Sequence, residues 1–317
     1  MSRLTVILCT HNPREKFIRE TLGALRNQTL PIEDWDLLVI DNASQPPLAT
    51  TLDLTWHPRA RIVREEQLGI AHARLCALQE ATKTGAPLIL FVDDDNILSP
   101  DYLAEGLTIA NGWPQLGCWG GQLLPRYEVP PPSWIDEYKK YLAIFPLKQP
   151  TWGNQRGSND LLPPTAGTFI RRTVWLKFIE LVQTNPLRLT LGPKGNIRIG
   201  GEDMDLMLTA FDLGLGLGRF PCLTLEHIMP AERLTAEYMT GLIKSINLGS
   251  VLLEYLRYGR VPLPVHASGL ARIRYHWRSR RLPKPLCQFY RAEIEGRQQA
   301  ATMVADWHRN NAQNRRP

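Results

Sequence analysis

Leu88-Ile89-Leu90-Phe91-Val92-Asp93-Asp94-Asp95-Asn96 is an apolar run of five residues that ends in three adjacent carboxylates. Its length and aliphatic content suit a strand covered on both faces, as in a parallel sheet. Leu4 to Cys9, Asp36 to Ile40 and the shorter Arg61 to Arg64 read as strands of the same kind. Between them apolar residues recur at helical spacing: Phe17, Leu22 and Leu25, then Ala71, Leu75 and Leu78 in a helix over Ile70 to Thr82. Alternating strand and helix predict an α/β protein with a mostly parallel, doubly wound central sheet flanked by helices. Ligands bind such sheets beyond the carboxyl ends of the strands. Three strand candidates end in polar clusters, Thr10-His11-Asn12, Asp41-Asn42 and Asp93-Asp94-Asp95, so these clusters are expected along one edge.

Downstream, Ser99-Pro100 reads as a helix start, with Ser as N-cap and Pro at the first helical position. Val129 to Ser133 holds three consecutive prolines and is a loop. Gln149 to Pro164, rich in Gly, Asn and Pro, reads as a flexible lid or acceptor loop. Thr168 to Arg171 is a strand and Val174 to Val182 a helix. The Gly-rich, basic stretch from Leu187 to Gly201 is a loop. A helix over Asp203 to Leu213 and a strand over Arg219 to His227 follow. From Thr235 the text is helical, with an apolar stripe of Met239, Leu242, Ile243, Ile246 and Val251. The expected organisation is one α/β domain over 1–233, in halves of about 1–96 and 97–233, and a helical, basic C-terminal extension over 234–317.

With 317 residues, 44% of them hydrophobic and 21% charged, the chain can bury a sizeable core and is not disordered. The net charge of +6 is uneven: Leu270 to Pro317 carries eleven Lys/Arg and three Asp/Glu, leaving 26 and 28 for the rest. A near-neutral body with a basic tail points to an anionic partner for the tail, or to a solvated helical surface. Five widely spaced cysteines without a Cys-x-x-Cys argue against a disulfide framework or zinc ribbon. No stretch approaches the ~20 apolar residues of a membrane span, and the N-terminal apolar run is too short for a signal peptide. A cytoplasmic protein, peripheral at the inner membrane face if the tail docks there, is the expectation.

Three adjacent carboxylates repel one another and resist desolvation. The Asp93–Asp95 cluster is stable if solvated, as an acidic turn, or if a divalent cation neutralises it; hard oxygen ligands favour Mg²⁺ or Mn²⁺. Gly200-Gly201-Glu202-Asp203-Met204-Asp205 places carboxylates at a helix start. There Asp203 or Asp205 can cap the helix, with Asp205 the better fit to that role, and one carboxylate can accept a proton from a nucleophilic hydroxyl. His227 closes a strand; it is either structural or a further metal ligand.

Val6-Ile7-Leu8-Cys9-Thr10-His11-Asn12, Gln28-Thr29-Leu30-Pro31, Val39-Ile40-Asp41-Asn42-Ala43-Ser44, Gly69-Ile70-Ala71-His72-Ala73-Arg74, the Asp93–Asp95 triplet and Gly201-Glu202-Asp203 occur in that order. Together they resemble the family 2 glycosyltransferases of the GT-A fold, over about Leu4 to His227, and more narrowly the bacterial polysaccharide-building members. The resemblance implies a nucleotide-sugar half (1–96) and an acceptor half (97–233). It implies that Thr10, Asn12, Asp41 (which would read the base, commonly uracil), Arg74, Asp93 and Asp94 bind the nucleotide-sugar, with Arg233 on the diphosphate. Asp95, with Asp93 and His227, would hold Mn²⁺ or Mg²⁺. Asp203 would be the catalytic base, with Glu202 beside it. The implied partners are a nucleotide-sugar donor, UDP favoured, and a saccharide or lipid-linked acceptor. The implied reaction is an inverting displacement.

Three other readings compete. Two-metal phosphoryl transfer lacks a Walker-type loop and leaves the Asp41 and Arg74 motifs unexplained. A non-catalytic nucleotide-sugar or polysaccharide binder has no need of Glu202-Asp203. Nucleic-acid binding through His276-Trp277-Arg278 and Arg280-Arg281 has no accompanying module; docking of Arg272, Arg274, Arg278, Arg280 and Arg281 on anionic headgroups suits the tail better. Trp134, Tyr138 and Trp152 are candidates to stack on an acceptor sugar, or to pack beneath loops.

Overall fold

A computed structural model describes residues 2–144, 146–155, 161–192, 199–262, 277, 279 and 281–313. The strands are β1 (Leu4–Thr10), β2 (Trp35–Asn42), β3 (Ala60–Glu65), β4 (Leu88–Val92), β5 (Asn96–Leu98), β6 (Leu116–Tyr127), β7 (Thr151–Gly153), β8 (Thr168–Arg171) and β9 (Gly216–Met229). The helices are α1 (Glu15–Arg26), α2 (Ile70–Thr84), α3 (Tyr102–Gly112), α4 (Ile135–Tyr138), α5 (Arg172–Thr184), α6 (Glu202–Asp212), α7 (Ala236–Tyr258) and α8 (Leu286–Gln313).

The strands form one sheet in the order β3-β2-β1-β4-β8-β6-β9-β5, with β7 also on β9. The first four pair in parallel, as expected. Beyond β4 the sheet is mixed: β8 runs antiparallel to β4 and β6, β6 runs parallel to β9, and β5 and β7 run antiparallel to β9. Every residue of β1 is buried. Strand periodicity then divides its side chains between two cores. Val6, Leu8, Leu37, Val39, Leu90 and Val92 face one, shared with Ile18, Leu22 and Leu25 of α1. Ile7, Cys9, Leu38, Ile40, Ile89 and Phe91 face the other, shared with α2, α5 and α6. Each fully buried aliphatic side chain contributes about 1.5–3 kcal/mol to this packing.

Two expectations are corrected. The helix anticipated at Ser99-Pro100 begins at Tyr102; Ser99 instead donates its N–H to Thr224 O at 3.0 Å, tying β5 to β9. Strand β6, twelve residues long, was not anticipated. Its small, half-polar stretch Gly117–Gln122 has no clean alternation, and its burial comes from neighbours on both sides.

Beyond Thr235 the regular elements among the described residues are α7 and α8. Helix α7 contributes Met239 and Ile243 to a cluster with Ile135, Leu142, Met229 and Phe289. Its Leu248, Leu252 and Leu253 pack with Leu191 and Ile199, and with Ala300 and Val304 of α8. No described helix is long and apolar enough to cross a membrane. Arg272, Arg274, His276, Arg278 and Arg280, with the last four residues, lie outside the described residues, as do 156–160 of the anticipated lid and 193–198 of the Gly-rich loop.

Candidate active site

Because β1, β2 and β4 run in parallel register, their polar ends come to one edge. Thr10 stands opposite Asp41, and Leu8 opposite Val92. The loops after β1 and β2 are laced together. The Asn12 N–H donates to Ser44 Oγ at 2.9 Å, and Asn12 Oδ1 accepts from Gln45 N at 2.8 Å. Asn12 takes a left-handed φ of 48°, a conformation Asn tolerates better than most residues. Thr10 Oγ1 donates to the Asp94 carboxylate.

Asp41 is 1% exposed. Its carboxylate accepts from Ser44 N at 2.9 Å, Leu48 N at 3.0 Å and Arg64 Nη1 at 2.9 Å. Burial opposes its ionisation, yet these donors together hold its pKa below the ordinary value. Asp41 thus organises the loop after β2. Arg64, its register partner on β3, is a functional neighbour that the sequence reading passed over.

The triplet divides by environment. Burial pushes the Asp94 carboxyl up to about 6, against the Thr10 hydrogen bond. Burial, then the Asp95 charge, also raises Asp93. Asp95 is held low despite burial, by His227 and by the Arg233 charge. The β5–β9 pairing explains this. Asn96 lies opposite His227, which brings His227 Nε2 to 3.5 Å from Asp95 Oδ1. Arg233, on the short turn Ala231–Leu234, places Nη2 3.0 Å from Asp95 Oδ2 and Nη1 3.1 Å from His227 Nε2. His227 Nδ1 is buried with no hydrogen-bond partner among the described residues.

Glu202 and Asp203 open α6 behind Gly201, whose φ of 104° demands glycine. Glu202 accepts from Arg74 Nη1 at 2.9 Å. Burial, then the neighbouring Asp203, pushes Glu202 up to about 7 while Arg74 pulls it down. Asp203 Oδ1 accepts the Met204 N–H at 2.8 Å. The expectation that Asp205 caps α6 is corrected: the N-cap position is Gly201, and Asp205 is buried at 1% exposure between arginines.

One cleft of about 1560 Å³ is lined by Asn12, Asp94, Asp95, Glu202, Asp203 and Arg233. Thr10, Asp41, Arg74, Asp93 and His227 stand behind this lining rather than in it. Among the described residues, no three His, Cys, Asp or Glu side chains form a metal cage; of the expected ligands, Asp95 and His227 meet directly. None of the three aromatic candidates lines the cleft: Trp134 packs on Phe289 and Trp152 on Trp113. Tyr138 packs on Phe289 and Tyr141. Tyr141, Tyr238 and Lys140 line the cleft instead. They sit on segments whose sequence reads only as amphipathic helix or loop, so spacing gave no signal for them.

A cleft at the carboxyl edge of such a sheet, with a strand-end aspartate cluster and a helix-start Glu-Asp pair in its lining, defines a GT-A type domain. Residues 5–155 match the model of glycosyl transferase family 2. It is 33% identical over 161 residues to validoxylamine A glucosyltransferase of Streptomyces hygroscopicus subsp. jinggangensis (strain 5008), covering 47% of this chain and 36% of that one. It is 31% identical over 161 residues to the protein of the same name from subsp. limoneus, covering 34% of it. The matched region thus spans about a third of the length of these relatives. Among solved structures, S. aureus TarS 1-349 in complex with UDP-GlcNAc superposes with a TM-score of 0.52 at 13% identity, over 96% of this chain and 92% of that one. The UDP complex of the same protein gives 0.51 at 15% identity, with the same coverage. At that identity the likeness establishes the fold.

Proposed function

We propose that this chain transfers a glycosyl group from a nucleoside diphosphate, UDP favoured, to an acceptor hydroxyl with inversion at the anomeric carbon. The observation that carries this reading is the convergence of Asp94 and Asp95, ending β4 and its turn, with Glu202 and Asp203, opening α6, on one cleft. The cleft exceeds the ~300–1,000 Å³ of a single small-molecule site, so donor and acceptor can be held together. The TarS complexes hold UDP and UDP-GlcNAc, which favours a uridine donor in this reading, and the relatives are glucosyltransferases by name. A saccharide or lipid-linked acceptor, in polysaccharide or glycoconjugate assembly, is part of the same reading.

In this scheme the Asp203 carboxylate takes the proton of the acceptor hydroxyl as its oxygen bonds to the anomeric carbon. The bond from that carbon to the diphosphate breaks, and the nucleoside diphosphate leaves with the electron pair. Asp203 stands in the first turn of α6 and lines the cleft. No second, protonated carboxyl is needed at the leaving group, unlike in a glycosidase. Arg233, which lines the same cleft, would meet the diphosphate.

The residues present fit a divalent cation, Mn²⁺ or Mg²⁺, that enters with the donor. Asp95 and the adjoining His227 would supply two protein ligands, through Oδ1 and Nε2, with Arg233 drawn off both, and such cations are commonly completed by substrate phosphates. Bound there, the ion would offset charge on the departing diphosphate.

The test is thermal unfolding with UDP, GDP, dTDP, CMP and ATP, each with and without Mn²⁺. A ligand specific to the folded state stabilises by roughly 2.7 kcal/mol at a hundredfold excess over Kd. A shift confined to one nucleoside diphosphate and requiring Mn²⁺ is expected. No shift with any of them, Mn²⁺ present, counts against a donor site.

A further inference from the structure

We propose that helix α7 of the C-terminal extension is a working part of the transfer site, holding Asp203 in place through a backbone seat at Gly249 and a buried Arg257–Asp205 clamp. This rests on the assignment of Asp203 as base.

The seat is a contact between two backbones. The Gly200 N–H donates to Ser245 O of α7 at 3.1 Å. One turn on, a Cβ on Gly249 would lie 2.0 Å from Gly200 O and 2.4 Å from Gly200 C. No side chain can occupy that space unless the Gly200-Gly201 strip lifts off the helix. That strip is the last stretch of chain before Glu202 and Asp203, so its height above α7 sets where α6 starts.

The clamp fixes the rotation of α6. Successive helical residues turn by 100°, so Asp203 and Asp205 point about 200° apart around the axis. Burying one presents the other. Asp205 is buried between Arg188, whose Nη1 lies 2.6 Å from Asp205 Oδ2, and Arg257 of α7, whose Nη1 lies 2.7 Å from Oδ1 and 3.1 Å from the Asp205 carbonyl. Arg257 Nη2 reaches the Leu208 carbonyl at 3.1 Å and the Asp212 carboxylate. Two arginines thus meet two aspartates, and the charges balance. A buried network of this kind is weak evidence for net stability, because desolvation offsets its attraction. Its directional bonds nevertheless specify one rotation of α6, with Asp203 toward the cleft. Gly249, Arg257, Arg188 and Asp205 are positioning residues in this scheme: none lines the cleft.

The experiment compares Gly249→Ala, Arg257→Met and Arg257→Lys with the wild-type full chain. Gly23→Ala on an open face of α1 serves as the glycine control. Two readouts are kept separate: amide hydrogen exchange over 200–205, and steady-state transfer with donor affinity measured independently. Misplacing a catalytic group by about 1 Å costs on the order of 100-fold in rate. Gly249→Ala and Arg257→Met should therefore exchange faster over 200–205 and lose at least tenfold in kcat while donor Kd stays within about threefold. Arg257→Lys should recover part of kcat. Unchanged exchange in both variants, or faster exchange with undiminished kcat, overturns the proposal. So does a kcat loss that merely tracks melting temperature across all variants, the Gly23→Ala control included. A wild-type chain that transfers no sugar would instead overturn the functional reading above, while exchange still reports whether the seat and clamp hold α6.

Discussion

Arg74, on the helix that follows β3, and Glu202, the first residue of α6, form a largely buried ion pair at 2.9 Å across 128 residues of sequence. The pair joins α2 to the helix that carries the proposed base. It also sets a pH dependence. Burial lifts Glu202 from 4.5 to about 7, so the folded protein binds a proton that the unfolded chain has released across that window. Stability of the free protein therefore falls as pH rises through it. The Arg74 charge limits the loss by favouring the carboxylate. The acid limb of kcat/KM should have a midpoint near 7, since this profile reports groups of the free enzyme. Glu202→Gln should abolish that inflection, and Arg74→Gln should move it to higher pH. A limb that survives in Glu202→Gln belongs to another group.

Asp203→Asn tests the base directly. Asparagine keeps an oxygen to accept the Met204 N–H, so the start of α6 should be undisturbed. Turnover is expected to fall by about 10²–10⁴, the range typical of general-base catalysis, with melting temperature and donor affinity retained. Donor affinity falling along with turnover would remove Asp203 from the chemistry and place it in binding.

How much of this was legible in sequence depended on whether a residue's partner was local. β1, β2 and β4 announce themselves because strands covered on both faces must be continuously apolar, and their polar ends then fall on one edge by register alone. Gly200-Gly201-Glu202-Asp203 was visible as a motif for a similar local reason: glycines mark close backbone approach. The partners were not visible. Nothing in the text of α7 says that Gly249 lies under Gly200, or that Arg257 reaches Asp205 52 residues away. Asp205 was read as a cap because its position along the helix suits one, and that reading failed because tertiary arginines claimed it first. Tyr141 and Tyr238 were missed because a cleft lining has no period of its own.

Arg233 lies across Asp95 and His227, where a cation entering with the donor would also bind. Two positive charges compete for one carboxylate. Arg233→Ala should therefore tighten Mn²⁺ binding to the free protein, measured by calorimetry. It should weaken the nucleoside diphosphate by roughly tenfold or more, the worth of a charged hydrogen bond. Asp95→Ala should erase the Mn²⁺-dependent part of the donor-induced thermal shift. Unchanged Mn²⁺ dependence in Asp95→Ala would rule Asp95 out as a ligand.

Asp41 separates scaffold from recognition. An ionised carboxylate offers about four acceptor sites, and Ser44 N, Leu48 N and Arg64 take three. The Ser44 hydroxyl takes the fourth, so a base N–H would have to displace one of these donors. The loop bonds hold the Asp41 pKa below 3.8, so it contributes stability above that pH, and the contribution is lost as pH falls through its lowered value. Asp41→Ala strands Arg64 and two backbone donors and should cost about 3–5 kcal/mol in denaturant unfolding at pH 7, as for removing one partner of a buried ion pair. Asp41→Asn has nearly the same shape but presents an amide N–H₂ on one side. It should melt lower than the wild type and lose its preference for UDP over CMP or ATP if this carboxylate reads uracil. A variant that melts lower yet keeps the full preference for UDP would confine Asp41 to holding the loop after β2, and would leave base recognition to other residues on the nucleotide side of the sheet.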